Sequence, residues 1–267
     1  MARETNESVP AVVRRQRMLD LIGESGFARV ADLSEAFRVS DVTIRSDLDI
    51  LDENQAIRRV HGGAVLRGIA TGRELSFEES LESSADEKRR IARAAADLVV
   101  SGSSILLDVG TTTAAIARAL RARDDLVDVT VITNGLAIAL ELESAIPRFQ
   151  VIVSGGTLRP LQHSLVAPLA SAIFSQVHAD LAFIGCNGVH PTGGVTNVNL
   201  PEADLKQLMV AAANRVVIVA DGSKIGQVQL GRIASISDID SLITGSSADA
   251  GELKRLRSAG LHVLVAE

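Results

Sequence analysis

The 267-residue chain is poor in aromatic residues, with no Trp, no Tyr and six Phe. Because 46% of its residues are hydrophobic, the core must be built mainly from Val, Ile, Leu and Ala. No apolar run approaches the roughly 20 residues of a membrane-spanning helix, and the opening MARETNESVP has no apolar segment of the signal-peptide type. We therefore expect a cytoplasmic protein that does not bind a membrane.

Cysteine and histidine are also scarce. The single cysteine, Cys186, excludes a disulfide within one chain, and a small buried apolar residue is its expected role. The five histidines are scattered and form no set with the spacing of metal ligands. The sequence therefore predicts no metal and no cofactor.

Positive charge is the third shortage. The net charge is −6, and residues 1–66 contain nine arginines, no lysine and eleven acidic residues. A nucleic-acid-binding protein is usually basic, so binding to DNA would depend on where the arginines lie. Six of them could cluster on one face with the acidic residues opposite: Arg14, Arg15, Arg17, Arg45, Arg58 and Arg59.

Residues 40–64 predict an exposed helix followed by two short strands. Ile44, Leu48 and Leu51 recur at the spacing of a single helical face, which must be buried. Ser40 is a good N-cap, so the helix should begin just after it. The first two turns then present four side chains outward: Val42, Thr43, Arg45 and Ser46.

The two strand candidates, residues 56–60 and 64–66, flank His61-Gly62-Gly63. Two glycines allow a tight reversal with positive φ, and Arg58, Arg59 and His61 supply hydrogen-bond donors near its tip. A helix end with Arg, Ser and Thr beside such a wing suits the major groove of duplex DNA and the neighbouring phosphates. An ordinary surface helix with solvated charges is the alternative.

This segment resembles the helix-turn-helix signature of the DeoR family of bacterial transcriptional regulators. The resemblance rests on Ser40, Thr43, Ile44, Arg45, Asp47, Leu48, Leu51, Arg59, His61, Gly62, Gly63 and Ala64. It implies that residues 1–66 form a winged helix-turn-helix domain that binds duplex operator DNA. A homo-oligomer is expected, because operator half-sites lie one helical turn or more apart. The residues expected to contact DNA are Ser40, Asp41, Val42, Thr43, Arg45, Ser46, Arg58, Arg59 and His61.

Beyond the wing, the sequence pattern changes twice. Residues 67–85 lose apolar periodicity and are rich in Gly, Ser and Glu, so they are predicted to be a linker. From residue 86, helical patterns alternate with runs of Val, Ile and Leu. This order predicts an α/β domain over residues 86–267, with a mostly parallel sheet covered by helices on both faces. In such sheets, ligands bind beyond the carboxyl ends of the strands.

The loop after the first predicted strand of that sheet, residues 108–113, suits a phosphate. Gly110 permits close approach of the backbone, and the free amides and dipole of the next helix attract an anion; simple helix capping is the alternative. Lys224 follows a later strand and could neutralise a phosphate oxygen or donate to a sugar hydroxyl, or it could be a solvated loop lysine. Arg159 could reach the same ligand or lie in a plain surface loop.

Residues 86–267 resemble the effector domain of the same family, which is similar in fold to ribose phosphate isomerases. The matching pieces are Asp108-x-Gly110-Thr-Thr, Thr133-Asn134, Gly155-Gly156, residues 180–188, Glu202-Ala and residues 220–226. The resemblance implies a repressor of a carbohydrate-use operon that is released by a phosphorylated sugar or a related metabolite. The residues expected to bind this effector are Asp108, Gly110, Thr111, Thr112, Thr113, Asn134, Gly155, Gly156, Asn187, Glu202 and Lys224.

Two other functions stay open. Asp108, Glu202 and Lys224 are of the right type for acid–base proton transfer, so a sugar-phosphate isomerase-like enzyme is the main alternative. The second alternative is that the winged helix docks on another protein. In that case the protein would not shift the mobility of DNA at any salt concentration. The Thr-x-Arg helix and the Arg-x-His-Gly-Gly wing favour the DNA-binding regulator, which is not an enzyme.

Overall fold

The computed structural model describes residues 11–25, 27–53, 57–60, 63–66 and 74–267; the side chains of residues 23–25, 27, 53, 58, 60, 65 and 66 fall outside this description. The chain divides into two compact units, Met1–Thr71 and Gly72–Glu267. Among the described residues, no helix combines the length and the apolar character needed to cross a membrane.

The described residues of the first unit form three helices and a three-stranded sheet. The helices are α1 (Ala11–Ser25), α2 (Val30–Phe37) and α3 (Asp41–Glu53), and the strands are β1 (Phe27–Arg29), β2 (Ile57–Val60) and β3 (Gly63–Leu66). The central strand β3 pairs antiparallel with both β1 and β2. The predicted helix-turn-helix with a strand wing is confirmed.

The core of this unit lies between the three helices and the wing. Ile44 and Leu48 of α3 are fully buried, as their helical spacing predicts. They belong to one cluster with Met18 of α1, Leu33 of α2 and Ile57 of β2. Because this face of α3 is held in the core, the opposite face is turned to solvent.

The second unit is built on a seven-stranded parallel sheet. In spatial order its strands are β15 (His262–Ala266), β14 (Ser241–Gly245), β12 (Ala213–Val219), β9 (Ala179–Gly185), β4 (Ser104–Leu107), β5 (Val129–Thr133) and β6 (Phe149–Val153). The chain builds outward from β4 through β5 to β6 and then returns to β9 to build the other half. The strand order therefore reverses between β4 and β9, and such a reversal opens a crevice at the carboxyl ends of the strands.

Helices lie on both faces of this sheet, as predicted. They are α4 (Phe77–Glu82), α5 (Ala85–Ala96), α6 (Thr111–Arg121), α7 (Leu136–Leu142), α8 (Leu169–Phe174), α9 (Leu200–Ala211) and α10 (Ala250–Ser258). Side chains of β4 show the division, since Ile105 and Leu107 pack into one hydrophobic cluster and Leu106 packs into the other. This alternation is the two-residue period of a strand that is buried on both sides.

Two small sheets were not predicted. One is a hairpin of β7 (Thr157–Arg159) and β8 (Ser164–Val166), and the other is an antiparallel sheet of β10 (Gly188–His190), β11 (Gly194–Asn197) and β13 (Gly231–Ala234). Gly156 has a φ of 120°, and a Cβ at this position would lie 2.4 Å from the carbonyl oxygen of Val166. The backbone of the hairpin therefore requires glycine at position 156.

Residues 74–85 differ from the linker predicted over residues 67–85, of which 67–73 lie outside the described residues. Helix α4 begins with a capping box: Ser76 Oγ accepts a hydrogen bond from the amide of Glu79, and the carboxylate of Glu79 accepts one from the amide of Ser76. Phe77 is buried in the core of the second unit. A six-residue helix is too short to show a helical period in the sequence.

Candidate functional site

The exposed end of α3 is built as predicted. The amide of Thr43 donates to Oγ of Ser40 over 3.2 Å, and the hydroxyls of the two residues lie 2.9 Å apart. Ser40 therefore caps the helix, which begins at the next residue. Val42 is 76% exposed, and Asp41, Arg45 and Ser46 are exposed with it.

Arg59 connects the wing to this helix. Its Nη1 donates to the backbone carbonyl of Arg45 over 3.0 Å and pairs with the carboxylate of Asp49. The guanidinium thus fixes β2 against the exposed side of α3. Of the other wing residues expected to contact DNA, the side chain of Arg58 and all of His61 lie outside the described residues.

The prediction that Arg14 belongs to a DNA-facing arginine cluster is wrong because Arg14 is buried, whereas Arg15 is half-buried. Nε of Arg14 lies 2.6 Å from Oδ2 of Asp47, and Nη1 of Arg15 lies 3.3 Å from Oδ1 of the same carboxylate. Arg14 and Asp47 are both buried. Asp47 therefore joins α3 to α1, because burial of a charged group requires an opposite charge beside it.

The second unit has a cavity of about 220 Å³ at the carboxyl ends of three neighbouring strands. Its wall includes residues 109–113 after β4, residues 185–187 after β9 and residues 219–221 after β12. Seven of the residues predicted to bind an effector line it: Gly110, Thr111, Thr112, Thr113, Asn187, Glu202 and Lys224.

The other four predicted residues do not line the cavity. Asp108 is fully buried behind the wall. Asn134 supports the wall, because its Oδ1 accepts a hydrogen bond from the amide of Val109 over 3.0 Å. Gly155 and Gly156 adopt positive φ at the start of the β7–β8 hairpin. These positions carry glycine, asparagine and aspartate for structural reasons that the sequence pattern alone does not distinguish from ligand binding.

The helix that begins at this wall presents an uncapped N-terminus to the cavity. Gly110 has a φ of 144°, and among the described residues no side chain caps α6. The first amides of a helix have no acceptor within it, and Thr111, Thr112 and Thr113 place theirs at the wall. Together with the helix dipole, these donors favour an anion.

Three of the four lysines in the chain, Lys88, Lys206 and Lys224, line this cavity. Nζ of Lys88 donates to the carbonyl oxygens of Ser80 and Ser83 over 2.5 and 2.7 Å, and burial lowers its pKa. A cationic residue type that is rare in this sequence is therefore concentrated at one cavity.

Lys206 is buried and pairs with Asp108, whose Oδ2 lies 2.7 Å from its Nζ. Burial raises the pKa of Asp108 to about 6, although the nearby ammonium group opposes this change. Burial alone would lower the pKa of Lys206, but the carboxylates of Asp108 and Glu202 raise it. Lys206 therefore keeps its proton and neutralises the carboxylate behind the cavity wall.

Glu202 accepts hydrogen bonds from three side chains. Oε1 lies 2.8 Å from Nη1 of Arg159 and 2.7 Å from Oγ of Ser164, and Oε2 lies 3.4 Å from Nδ2 of Asn197. Arg159 also pairs with Glu74. Burial raises the pKa of Glu74, while its bond to Arg159 opposes that change.

Residues 74–83, which we call the strap, run along this cavity and are fastened to it. Glu74 binds Arg159, and the carbonyl oxygen of Leu75 accepts a hydrogen bond from Nε2 of Gln162 over 2.5 Å. The ring of Phe77 stacks on His163 with 5.2 Å between the ring centroids. Since Lys88 also holds two strap carbonyls, the strap is part of the site.

Sequence reasoning missed several lining residues, namely Glu74, Lys88, Lys206, Asn197 and Gln229. Lys88 and Lys206 lie within helices and not at strand ends, where ligand-binding residues were expected. The scarcity of lysine in the sequence could have indicated both.

Cys186 is half-buried at the wall, and burial raises its pKa to about 12. Among the described residues, no group of His, Cys, Asp or Glu side chains is placed to hold a metal ion.

A winged helix-turn-helix joined to an α/β unit with a cavity for an anion defines a class of ligand-responsive transcriptional regulators. The model of the DeoR-like helix-turn-helix domain matches residues 14–68, and that of the DeoR C terminal sensor domain matches residues 83–246. The chain belongs to the DeoR family of transcriptional regulators, as predicted.

Relatives of known name are similar to the chain over most of its length. The HTH-type transcriptional regulator GolR of Listeria innocua is 34% identical over 95% of this chain and 98% of its own length. The Glycerol-3-phosphate regulon repressor of Escherichia coli is 30% identical, over 86% of this chain and 89% of its own. The solved structure of ribose 5-phosphate isomerase A from Methanocaldococcus jannaschii aligns with 53% of this chain and 55% of its own, at 21% identity and a TM-score of 0.40.

Proposed function

We propose that the protein is a transcriptional repressor of a carbohydrate-use operon, which binds duplex operator DNA and is released by a phosphorylated sugar or a related metabolite. The main support for a phosphorylated effector is that three of the four lysines of the chain line one cavity. The name of the repressor of a glycerol-3-phosphate regulon supports it. A homo-oligomer in the cytoplasm is the proposed active form, since two operator half-sites require two winged helices.

The DNA-binding surface is proposed to be the exposed start of α3 together with the wing. A guanidinium such as that of Arg45 suits the O6 and N7 atoms of guanine, and an apolar side chain such as Val42 suits a thymine methyl group. Ser40 and Ser46 are suited to phosphate oxygens. Because the chain is acidic overall, we expect weak non-specific binding and an affinity that falls steeply with salt.

In the cavity, the phosphate is proposed to bind at the N-terminus of α6, next to Lys224 and Lys88. Backbone amides and ammonium groups are the donors that a phosphate requires. The sugar hydroxyls would then face the polar side chains of Asn187, Asn197 and Glu202. Amide and carboxylate groups supply both the donors and the acceptors that hydroxyls need.

We propose binding without turnover. Asp108 lies behind the wall and is neutralised by Lys206, and both oxygens of Glu202 already accept hydrogen bonds. A general base must instead be free to take a proton from its substrate. The isomerase-like alternative predicts conversion of ribose 5-phosphate by the purified protein, which a coupled assay would detect.

The strap is proposed to couple the cavity to DNA binding. Lys88 holds the carbonyls of Ser80 and Ser83 and also lines the cavity, so a phosphate that draws its ammonium group would weaken those bonds. The chain continues from the strap through residues 67–73 towards the helix-turn-helix. Coupling of this kind requires that the effector bind the free and DNA-bound forms with different affinity.

The test is fluorescence anisotropy with the protein's own upstream promoter fragment, with and without a panel of sugar phosphates. Lys224→Ala is compared with Lys254→Ala, because Lys254 is an exposed lysine outside the cavity. We expect one of the sugar phosphates to weaken operator binding by about tenfold or more in the wild type and in the control, but not in Lys224→Ala. A normal response of Lys224→Ala would contradict the cavity assignment, and a wild type that ignores the promoter would contradict the DNA-binding assignment.

A further inference from the structure

Gln229 is a buried polar residue at the cavity wall whose hydrogen bonding is incomplete. It is 7% exposed and lines the cavity. Its backbone amide donates to Oγ1 of Thr196 over 2.9 Å. Its side-chain oxygen Oε1 is enclosed, yet it accepts no hydrogen bond from any of the described residues. A buried acceptor without a donor is destabilising, so its retention calls for a specific explanation.

The backbone of the loop that precedes Gln229 is held against β10. The amide of Gly226 donates to the carbonyl oxygen of Val189 over 2.8 Å. A Cβ at Gly188 would lie 2.4 Å from the carbonyl oxygen of Gln227, which means that β10 packs directly on this loop. The backbone amide of Gln229 is therefore held in place before any ligand arrives.

The residues around Gln229 form the neutral and acidic part of the cavity wall. Thr196 anchors two of them, since its carbonyl oxygen accepts a hydrogen bond from the amide of Asn187 over 2.9 Å and its Oγ1 accepts one from Gln229. The next residue of β11, Asn197, donates to Glu202. The lysines and the N-terminus of α6 supply the cationic part. The missing donor for Gln229 is thus expected on the uncharged portion of a ligand.

We infer that Gln229 is a specificity-determining residue, whose side-chain amide turns its oxygen into the cavity when the phosphorylated sugar binds and accepts a hydrogen bond from one sugar hydroxyl. This inference rests on the proposed function and names the part of the ligand that the cavity selects. A neutral acceptor suits this position, because a carboxylate there would repel the phosphate of the same ligand. A site that pairs a buried polar group with a ligand hydroxyl discriminates strongly against ligands that lack the hydroxyl.

The test compares Gln229→Met, which keeps the length of the side chain but removes its acceptor, with Gln227→Met on the same loop. Gln227 is exposed and does not line the cavity. Isothermal titration calorimetry is run on the full-length chain with inorganic phosphate, glycerol 3-phosphate, fructose 1-phosphate and glucose 6-phosphate. The best binder is then compared with its monodeoxy analogues.

We expect Gln229→Met to bind inorganic phosphate like the wild type and to bind the best sugar phosphate about tenfold more weakly or worse. One deoxy analogue should lose affinity for the wild type and for Gln227→Met but not for Gln229→Met. The melting temperature of unliganded Gln229→Met should equal or exceed that of the wild type, because an unsatisfied buried acceptor has been removed. A purely structural role for Gln229 would lower it.

Equal affinities of Gln229→Met and the wild type for every sugar phosphate would overturn the inference alone. Failure of all the sugar phosphates to bind the wild type would overturn it together with the proposed effector class. If Gln229→Met unfolds, as judged by circular dichroism, Gln229→Asn replaces it. This shorter amide moves the acceptor and is expected to lose the same hydroxyl discrimination, and full discrimination by Gln229→Asn would again overturn the inference.

Discussion

Lys206 on α9 lies 2.7 Å from the carboxylate of Asp108, and the same ammonium group donates to the carbonyl oxygen of Gly185 over 2.9 Å. Asp108 follows β4 and Gly185 ends β9, so one buried side chain joins the two strands between which the strand order reverses. The amide of Gly185 completes the arrangement by donating to Asp108 over 3.0 Å. The floor of the cavity therefore depends on an ion pair.

Replacing Lys206 with Met should destabilise the second unit by about 3–5 kcal/mol, because it leaves the charge of Asp108 buried without its partner. Urea unfolding measures the loss. The double variant Lys206→Met/Asp108→Asn should recover part of the lost stability, since the uncompensated charge is then gone. A loss below about 1 kcal/mol would mean that the pair behaves like an exposed salt bridge.

The stability contribution of Asp108 should depend on pH with a definite sign. Burial raises its pKa from 3.8 to about 6, so the folded protein retains a proton there over a range in which the unfolded chain has lost it. The contribution is fully present below about pH 4 and is lost as the pH rises through about 6. The unfolding free energy of the wild type, measured relative to that of Asp108→Asn, should therefore fall across this range.

Asp180 is the control for this pH dependence. Hydrogen bonds from the backbone and hydroxyl of Ser104 hold its pKa below the ordinary value. Its contribution should be present at neutral pH and be lost only as the pH falls below about 4. Between pH 4 and 6 the stability of the wild type relative to Asp180→Asn should stay constant, and a stability relative to Asp108→Asn that rises with pH over this range would show that the sign derived for Asp108 is wrong.

Arg45→Ala should reduce operator affinity by about 1–3 kcal/mol and relax the base preference at one position of each half-site. Arg45 is exposed on α3, so the variant should keep the wild-type melting temperature. Anisotropy with single-base operator variants measures the change. Arg29→Ala removes an exposed charge from β1 instead and should leave the base preference unchanged; an unaltered preference in Arg45→Ala would refute direct readout.

Asp47→Ala should act through folding of the first unit. The carboxylate that faces Arg14 and Arg15 is lost from a buried position, and the expected cost is about 3 kcal/mol. Thermal unfolding should detect a destabilised helix-turn-helix. Asp20→Ala on α1 is the matched control, because Asp20 is exposed and accepts a hydrogen bond only from Gln16 in the described part of the chain. Similar melting temperatures of the two variants would exclude the structural role of Asp47.

Glu74→Gln should weaken the hold of Arg159 on the strap while changing little in the shape of the site. We expect effector binding to persist, and its effect on operator affinity to fall by a factor of about five. Anisotropy titrations at saturating effector measure that factor. Glu82→Gln removes an exposed charge at the end of α4 and should leave the coupling intact. Full coupling in Glu74→Gln would rule out the strap as the connection.

The helix-turn-helix could be predicted because its signals are local. The period of Ile44, Leu48 and Leu51 fixes the buried face of α3, and Ser40 fixes its start. The roles of Arg14 and Arg15 could not be predicted, because both pair with a carboxylate 32 or 33 positions away in the chain. No local pattern distinguishes an arginine that binds DNA from one that joins two helices.

The residues that line the cavity were predicted only in part, for a similar reason. Strand ends are visible in a sequence, so Gly110, Asn187 and Lys224 could be assigned to one edge of the sheet. Lys88 and Gln229 reach the cavity from a helix and from a loop beyond the expected strand ends. Gly155 and Gly156 precede a hairpin in which β7 pairs with β8. Each strand has only three residues, which is too short to be recognised in the sequence.

The reversal of strand order between β4 and β9 has an evolutionary consequence. The amides at the start of α6 come from the turn after β4, whereas Asn187 and Lys224 come from loops that follow β9 and β12. Substitutions in those later loops can change the polar side chains that line the cavity while the amides of α6 and the seven strands stay as they are. The lining of the cavity can therefore change one loop at a time, without any change in the sheet that supports it.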